Sequence, residues 1–261
     1  MQSRSRAVPL AVAVALTLAS LVMPCAPALA AEEPPQPTVF QHWVMWPKAG
    51  QAPEFEEAVK AHLAWRKAAG EGFGWSASQT VVGNDLTPYV FRAGPFHWKD
   101  LDAQAEWGVK AEALANWNEQ VAAHVDRVEH YLMVWDPEHS LWTDSEEYRY
   151  FGVSLLRLKP GVNLSFIDAL KRLHKIAAEK EWSHPWGVQW VVGGSEVDLA
   201  VVNPYRSYAE MAEPEPPFVK LAAETLGSEQ GAKDLLTQFW ASIETSNYLI
   251  SAPRPDLSTR E

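Results

Sequence analysis

The chain reads as an α+β protein in which one β-α-β-β-α-β pattern is written twice, with the two sheets packed sheet to sheet. Three observations predict this. The strand-like stretch "VFQHWVMWPKAG" at 39–50 returns at 150–161 as "YFGVSLLRLKPG". An amphipathic helix follows each copy, at 53–70 and 164–180, and Phe55, Ala58 and Lys60 match Phe166, Ala169 and Lys171 at a constant offset of 111. Two more apolar runs, a helical stretch and a last strand then recur in the same order, the signature of an internal repeat.

Each element has its own local reason. Residues 1–30 read as a cleavable secretory signal peptide. Arg4 and Arg6 open it, an apolar run follows, and Ala28, Leu29 and Ala30 form a small-x-small site, so cleavage is expected after Ala30 and the protein is expected to be periplasmic or secreted. Residues 31–37 are Pro-rich and charged, a flexible N-terminal segment. In both helices the apolar residues fall at i, i+3, i+4, i+7 and i+8, one stripe of a 3.6-residue period. Strand pairs are expected over 76–92 and 186–203, each around a tight turn, Gly83-Asn84 and Gly193-Gly194, where positive φ is needed. Val81, Val82 and Gly83 return as Val191, Val192 and Gly193, and Gln79 as Gln189. The last strands, 129–137 and 246–253, share a Tyr-Leu pair, Tyr131-Leu132 and Tyr248-Leu249. The first repeat thus spans 38–137, a polar acidic linker 138–148, the second repeat 149–253 and a flexible tail 254–261.

Composition removes several functional classes. Cys25 is the single cysteine and lies in the leader, so the mature chain has no disulfide, catalytic thiol or Cys-ligated metal. Losing Arg4 and Arg6 with the leader moves the net charge from −11 to −13, which repels phosphate backbones and argues against nucleic acid as a partner. No later apolar run is long enough to span a membrane. About 230 residues can bury a sizeable core without disulfides. The 13 tryptophans, all beyond the leader, supply either an aromatic core or an aromatic-lined cavity.

Each half is a split βαβ, or ferredoxin-like, unit. Two such units in one chain, with the strand–turn motifs quoted above, resemble the dimeric α/β barrel superfamily, which includes antibiotic-biosynthesis-type monooxygenases, EthD-like and NIPSNAP-like proteins, haem-degrading enzymes and chlorite dismutase relatives. The resemblance implies an intrachain dimeric α/β barrel, a small-molecule site between the sheets, and a fold open to assembly as a homo-oligomer.

Strand parity then selects site candidates. On the first strand, Phe40, His42 and Val44 form a set whose partners are Phe151, Val153 and Leu155, and this set suits the helix-covered face. The alternate set, with Gln41 and Trp43 matched to Gly152 and Ser154, suits a cavity between sheets, where the small residues would leave room for a ligand. Gln79 and Gln189 either serve that cavity together or lie at a solvent-facing edge. His62 and His174 lie on helix stripes and read as core histidines. Haem-degrading relatives use an Asn, a Trp and a helical His, which the resemblance would carry onto Gln41, Trp117 and His124, with Gln in the place of Asn. There is no HExxH or His-x-His metal spacing, and no G-x-S-x-G, P-loop or GxGxxG. No metal and no cofactor is therefore expected, haem excepted. The leading expectation is an exported protein that binds a small hydrophobic or aromatic molecule, as a cofactor-independent monooxygenase-like oxidoreductase. The competing expectations are a non-catalytic interaction module whose core is filled by Trp43 and Trp190, and a haem protein.

Overall fold

The computed structural model describes residues 38–142 and 147–260. The leader at 1–30 with its cleavage site, the segment 31–37, linker residues 143–146 and the terminal Glu261 lie outside the described residues. The first half runs β1 (Thr38–Pro47), α1 (Ala52–Ala68), β2 (Trp75–Val82), β3 (Tyr89–Phe96), α2 (Trp98–Lys110), α3 (Ala113–Gln120) and β4 (Val125–Leu141). The second runs β5 (Tyr150–Leu158), α4 (Asn163–Glu179), β6 (Trp186–Gly193), β7 (Leu199–Tyr205), α5 (Phe218–Leu226), α6 (Glu229–Ala241) and β8 (Ile243–Pro253). Among the described residues no helix is long and apolar enough to cross a membrane.

Within each half the strands pair in the order β4-β1-β3-β2 and β8-β5-β7-β6, all antiparallel. The halves meet edge to edge, β2 on β8 and β4 on β6, and the eight strands close on themselves. Closure removes the exposed edges that a lone four-stranded sheet would carry. Register shifts in β1, β2, β4 and β5 make the ring irregular.

The apolar cores lie outside the ring, between strands and helices. Val39, Met45, Trp75, Ala77, Tyr89 and Phe91 meet Phe55, Val59 and Leu63 of α1, with Trp43 packed against the same group. Leu156, Val188 and Leu199 meet Phe166 and Leu170 of α4, and α4, α5 and α6 share a third cluster. This reverses the parity expected from sequence: Gln41 and Trp43 face the helices, whereas Phe40, His42 and Val44 face the inside of the ring. Alternation separates the two faces of a strand without saying which one a helix covers. On β1 the outer set is Val39, Gln41, Trp43 and Met45, while the inner set carries His42.

Three local expectations change. The strand connections are loops of residues 83–88 and 194–198 rather than tight turns; Gly194 does take positive φ (+92°), but Gly83 is needed for space, since a Cβ there would lie 3.1 Å from Thr80 Cγ2 and 3.2 Å from Leu249 Cβ. Residues 138–141, polar and so expected in the linker, continue β4: Leu141 pairs with Trp186, and Ser140 Oγ accepts from Val188 N at 2.9 Å. The tail is held too. Arg254 N donates to Ala77 O at 2.8 Å, Thr259 N to Trp75 O at 2.8 Å, and Leu257 is buried, so the tail covers the part of β2 that β8 does not reach.

The repeat also exposes one local mismatch. Helices α1 and α4 end in the same Schellman pattern, with Gly70 N on Lys67 O and Glu71 N on Arg66 O, and Glu181 N on Ala178 O and Trp182 N on Ala177 O. The left-handed position is Gly70 (φ +80°) in the first half but Glu181 (φ +51°) in the second. A side chain costs about 1–2 kcal/mol there, partly offset by the greater chain entropy glycine loses. Glu181→Gly is therefore expected to stabilise by about 0.5–1 kcal/mol, and Gly70→Ala to destabilise by about 1 kcal/mol, read as shifts in urea midpoint at constant m.

Candidate functional site

A cavity of about 820 Å³ lies on the outer, helix-covered side of the first half. Its floor is the sheet: Gln41, Trp43 and Met45 of β1, Phe91 of β3, Val128 and His130 of β4. Its roof is Val59, His62 and Arg66 of α1, Leu101 and Gln104 of α2, and Ala113 and Trp117 of α3. The space exists because α1 packs closely, through Phe55, Val59 and Leu63, while α2 and α3 do not. Of the residues in α2 and α3 only Ala113 is buried, and small residues (Ala105, Gly108, Ala115) face the opening.

The polar groups on the wall are few and mostly engaged. Gln41 donates to the side-chain oxygen of Gln104 and accepts from Trp43 Nε1 at 3.4 Å. Arg66 donates to Glu71 through Nε at 2.9 and 2.8 Å, and Glu71 also accepts from Trp75 Nε1 at 3.0 Å. The guanidinium sits between the rings of Trp75 and Trp107, 5.2 and 5.0 Å from their centroids, so its charge is balanced and covered. His62, buried on α1, contacts Asn116 Oδ1 through Nδ1 at 2.7 Å and Arg66 Nη1 through Nε2 at 3.5 Å. Arginine can only donate, so Nε2 is the acceptor and Nδ1 carries the proton. Burial first, then Arg66, lowers its pKa against the opposing Asn116 bond, keeping the ring neutral.

His130 differs. Its ring stacks on Trp43 with centroids 4.0 Å apart and planes 15° from parallel, a pair set by the β1–β4 register that puts Trp43 opposite His130. Burial lowers its pKa, and neither ring nitrogen has a hydrogen-bond partner among the described residues. It is a neutral imidazole on the wall of an apolar cavity, with a ring nitrogen free to accept a proton.

Of the six residues singled out from sequence, Gln41, Trp43 and Trp117 line this cavity, though on the helix side rather than between the sheets. The other three lie elsewhere. Gln79 accepts from Arg254 Nη1 at 2.9 Å and sits by the β2–β3 loop. Gln189 is buried inside the ring beside His42, so the two glutamines share no cavity. His124 lies in the turn before β4, its Nδ1 3.1 Å from Gln51 Oε1. Gly152 and Ser154 leave no room: a Cβ on Gly152 would lie 2.3 Å from Tyr248 Oη and 3.1 Å from Tyr205 Cε2. The second half fills with tyrosine the space that the first half leaves open. His62, Gln104 and His130 were not singled out. Only His130 carried a usable signal, since the strand order of a ferredoxin-like unit places the last strand beside the first.

No family model matches the chain, and no curated protein matches its sequence. Solved structures do. A candidate monooxygenase from Fusobacterium nucleatum subsp. nucleatum superposes with a TM-score of 0.54 at 9% identity, over 84% of this chain and 94% of that one. A candidate monooxygenase from Lactobacillus acidophilus gives 0.52 at 9%, over 86% and 97%. The fold is the dimeric α/β barrel. A mutant chlorite dismutase from Candidatus Nitrospira defluvii shares this dimeric α/β barrel at 0.52 and 8%, over 84% and 92%. Identities this low carry the fold alone.

In this dimeric α/β barrel the donors fit a haem iron poorly. His124 is outside the cavity, both nitrogens of His62 are engaged, and His130 lies flat on Trp43. The wall suits a flat, uncharged molecule with one or two oxygens: aromatic slabs on two sides, amide N–H groups of Gln104 and Gln41, and one imidazole.

Proposed function

We propose that this chain binds a small, flat hydrophobic or aromatic molecule in the helix-side cavity of its first half and oxidises it with O₂, as a cofactor-independent monooxygenase-like enzyme acting in the periplasm or outside the cell. The observation that carries the reading is His130: a neutral imidazole without a hydrogen-bond partner among the described residues, stacked on Trp43 at the wall of an open apolar space. The likeness to candidate monooxygenases supports the same class. The open volume of about 820 Å³ weighs against a module whose core is merely filled.

For a phenol or quinol the chemistry closes without another redox partner. His130 takes the hydroxyl proton, and the phenolate oxygen is held by the free amide N–H groups of Gln104 and Gln41 in a desolvated site. The electron-rich ring adds O₂ at carbon to give a hydroperoxide, with the second proton ending on its terminal oxygen. Loss of water then leaves a quinone. One oxygen atom enters the product, the other leaves as water, and the substrate supplies all four electrons. Oxygen uptake over a panel of quinols and polycyclic phenols is the test, with one O₂ expected per quinone formed from a phenol. No uptake across the panel defeats the catalytic part. Quenching of tryptophan fluorescence by unreactive methyl ethers of the same compounds tests binding separately.

A further inference from the structure

The inside of the ring holds a second feature, unrelated to the helix-side cavity. His42 of β1 is the cross-strand partner of Arg92 on β3 and of Tyr131 on β4, so the three side chains form one inward row. The rings of His42 and Tyr131 stack 5.3 Å apart, and Gln189 of β6 reaches His42 from the other half. The Arg92 guanidinium lies 3.6 Å over the ring of Phe40.

Two atoms of this row lack what burial demands. Arg92 Nε and His42 Nε2 are both buried with no hydrogen-bond partner among the described residues. Buried polar atoms are nearly always paired, and leaving a buried charge unpaired is strongly destabilising. Among the described residues no carboxylate pairs with Arg92, although the chain carries 33 acidic residues against 22 basic ones. The charge that acts on Arg92 is another cation, Arg260, whose Nη1 donates to Gly94 O at 3.3 Å. Burial and this neighbour hold the Arg92 guanidinium down at about 9, and burial with Arg92 holds His42 at about 3. His42, Arg92 and Tyr131 are half-buried as whole residues, although Arg92 Nε and His42 Nε2 are themselves covered.

We propose that the ring interior binds a small inorganic anion, of about the size of chloride or bromide, between the Arg92 guanidinium and the His42 imidazole. The anion accepts from Arg92 Nε–H and from His42 Nε2–H, and Gln189 accepts the imidazole's other N–H when the ring is charged, or donates to that nitrogen when it is not. The anion supplies the negative charge that the protein does not bring to Arg92. A water molecule could close the same hydrogen bonds, but it would leave the charge uncompensated.

The full mature chain serves for the test, with bromide as the probe. Crystals grown in sodium bromide should show an anomalous peak at hydrogen-bond distance from Arg92 Nε. In solution, replacing gluconate by bromide at constant ionic strength should raise Tm, by about 3–5 °C at tenfold excess over Kd and with the logarithm of bromide concentration beyond it, and Arg92→Gln should abolish the rise. A lumen that holds only water in bromide-grown crystals overturns the proposal, as does a bromide response that is absent from the wild type or equal in Arg92→Gln. The anomalous measurement uses the wild-type chain, so it decides the matter even where Arg92→Gln does not fold.

Discussion

Phe55→Ala is expected to cost about 3–5 kcal/mol of folding free energy, and Phe166→Ala a similar amount. Both residues are fully buried and occupy matching positions of the two repeats. The Phe55 ring lies 5.2 Å from Tyr89 and 6.4 Å from Phe91, and the Phe166 ring 5.0 Å from Phe239 and 6.1 Å from Trp190. Each clamps its helix onto its own sheet, so truncation removes a large apolar area and leaves a cavity that rigid strands cannot close. At this chain length Tm should fall by roughly 10 °C or more. Neither variant should melt in two steps, because the pairings of β2 with β8 and β4 with β6 tie each half to the other. Far-ultraviolet circular dichroism and tryptophan fluorescence should report coincident transitions. Separate transitions in Phe55→Ala would show that the halves fold independently, against the closed ring.

That symmetry explains what the sequence could show. Phe55 and Phe166 were matched because a repeat constrains core positions twice, and the same logic found the order of strands and helices. It could not orient the faces of β1. Alternation assigns Gln41 and His42 to opposite sides, but which side a helix covers depends on the crossing from β1 over β3 to β2 through α1, a tertiary matter. His42 was placed with a core valine since it aligns with Val153; both face inward, where one half supplies a polar row with Arg92 and the other an apolar wall. Gln41 and Trp43 reached the candidate site for the wrong geometric reason. Gly152 and Ser154 misled because their small size is answered locally by Tyr248 and Tyr205 rather than by a ligand. Polarity points to a linker at 138–141 and a flexible tail at 254–260, whereas Ser140, Ser258 and Thr259 use that polarity to bond β6 and β2. The cavity itself was illegible. It depends on how far α2 and α3 stand off the sheet, and no single residue encodes that distance.

His130→Ala is the prediction with the largest expected effect on activity: turnover of a phenol or quinol should fall about 10²–10⁴-fold, the range for loss of a positioned general base. Binding should weaken far less, by about tenfold at most, since only one face of a stacked pair is lost. A loss in kcat with a small change in Kd separates proton transfer from packing. The pH profile supplies the second readout. Burial lowers the His130 pKa below its ordinary value of 6.5, and the base works only when unprotonated. The rate should therefore be flat from neutral pH down through 6.5 and fall only below the lowered pKa, on the acid side. His62 should not contribute that limb: its Nδ1 is committed to Asn116 and its Nε2 faces Arg66. In His130→Ala the acid limb should vanish along with most of the rate, and added imidazole should restore part of both, because deleting the ring opens space beside Trp43 for a free base. A variant that keeps the acid limb at reduced rate would move the proton acceptor from His130 to another group, and with it the role assigned to the Trp43–His130 stack.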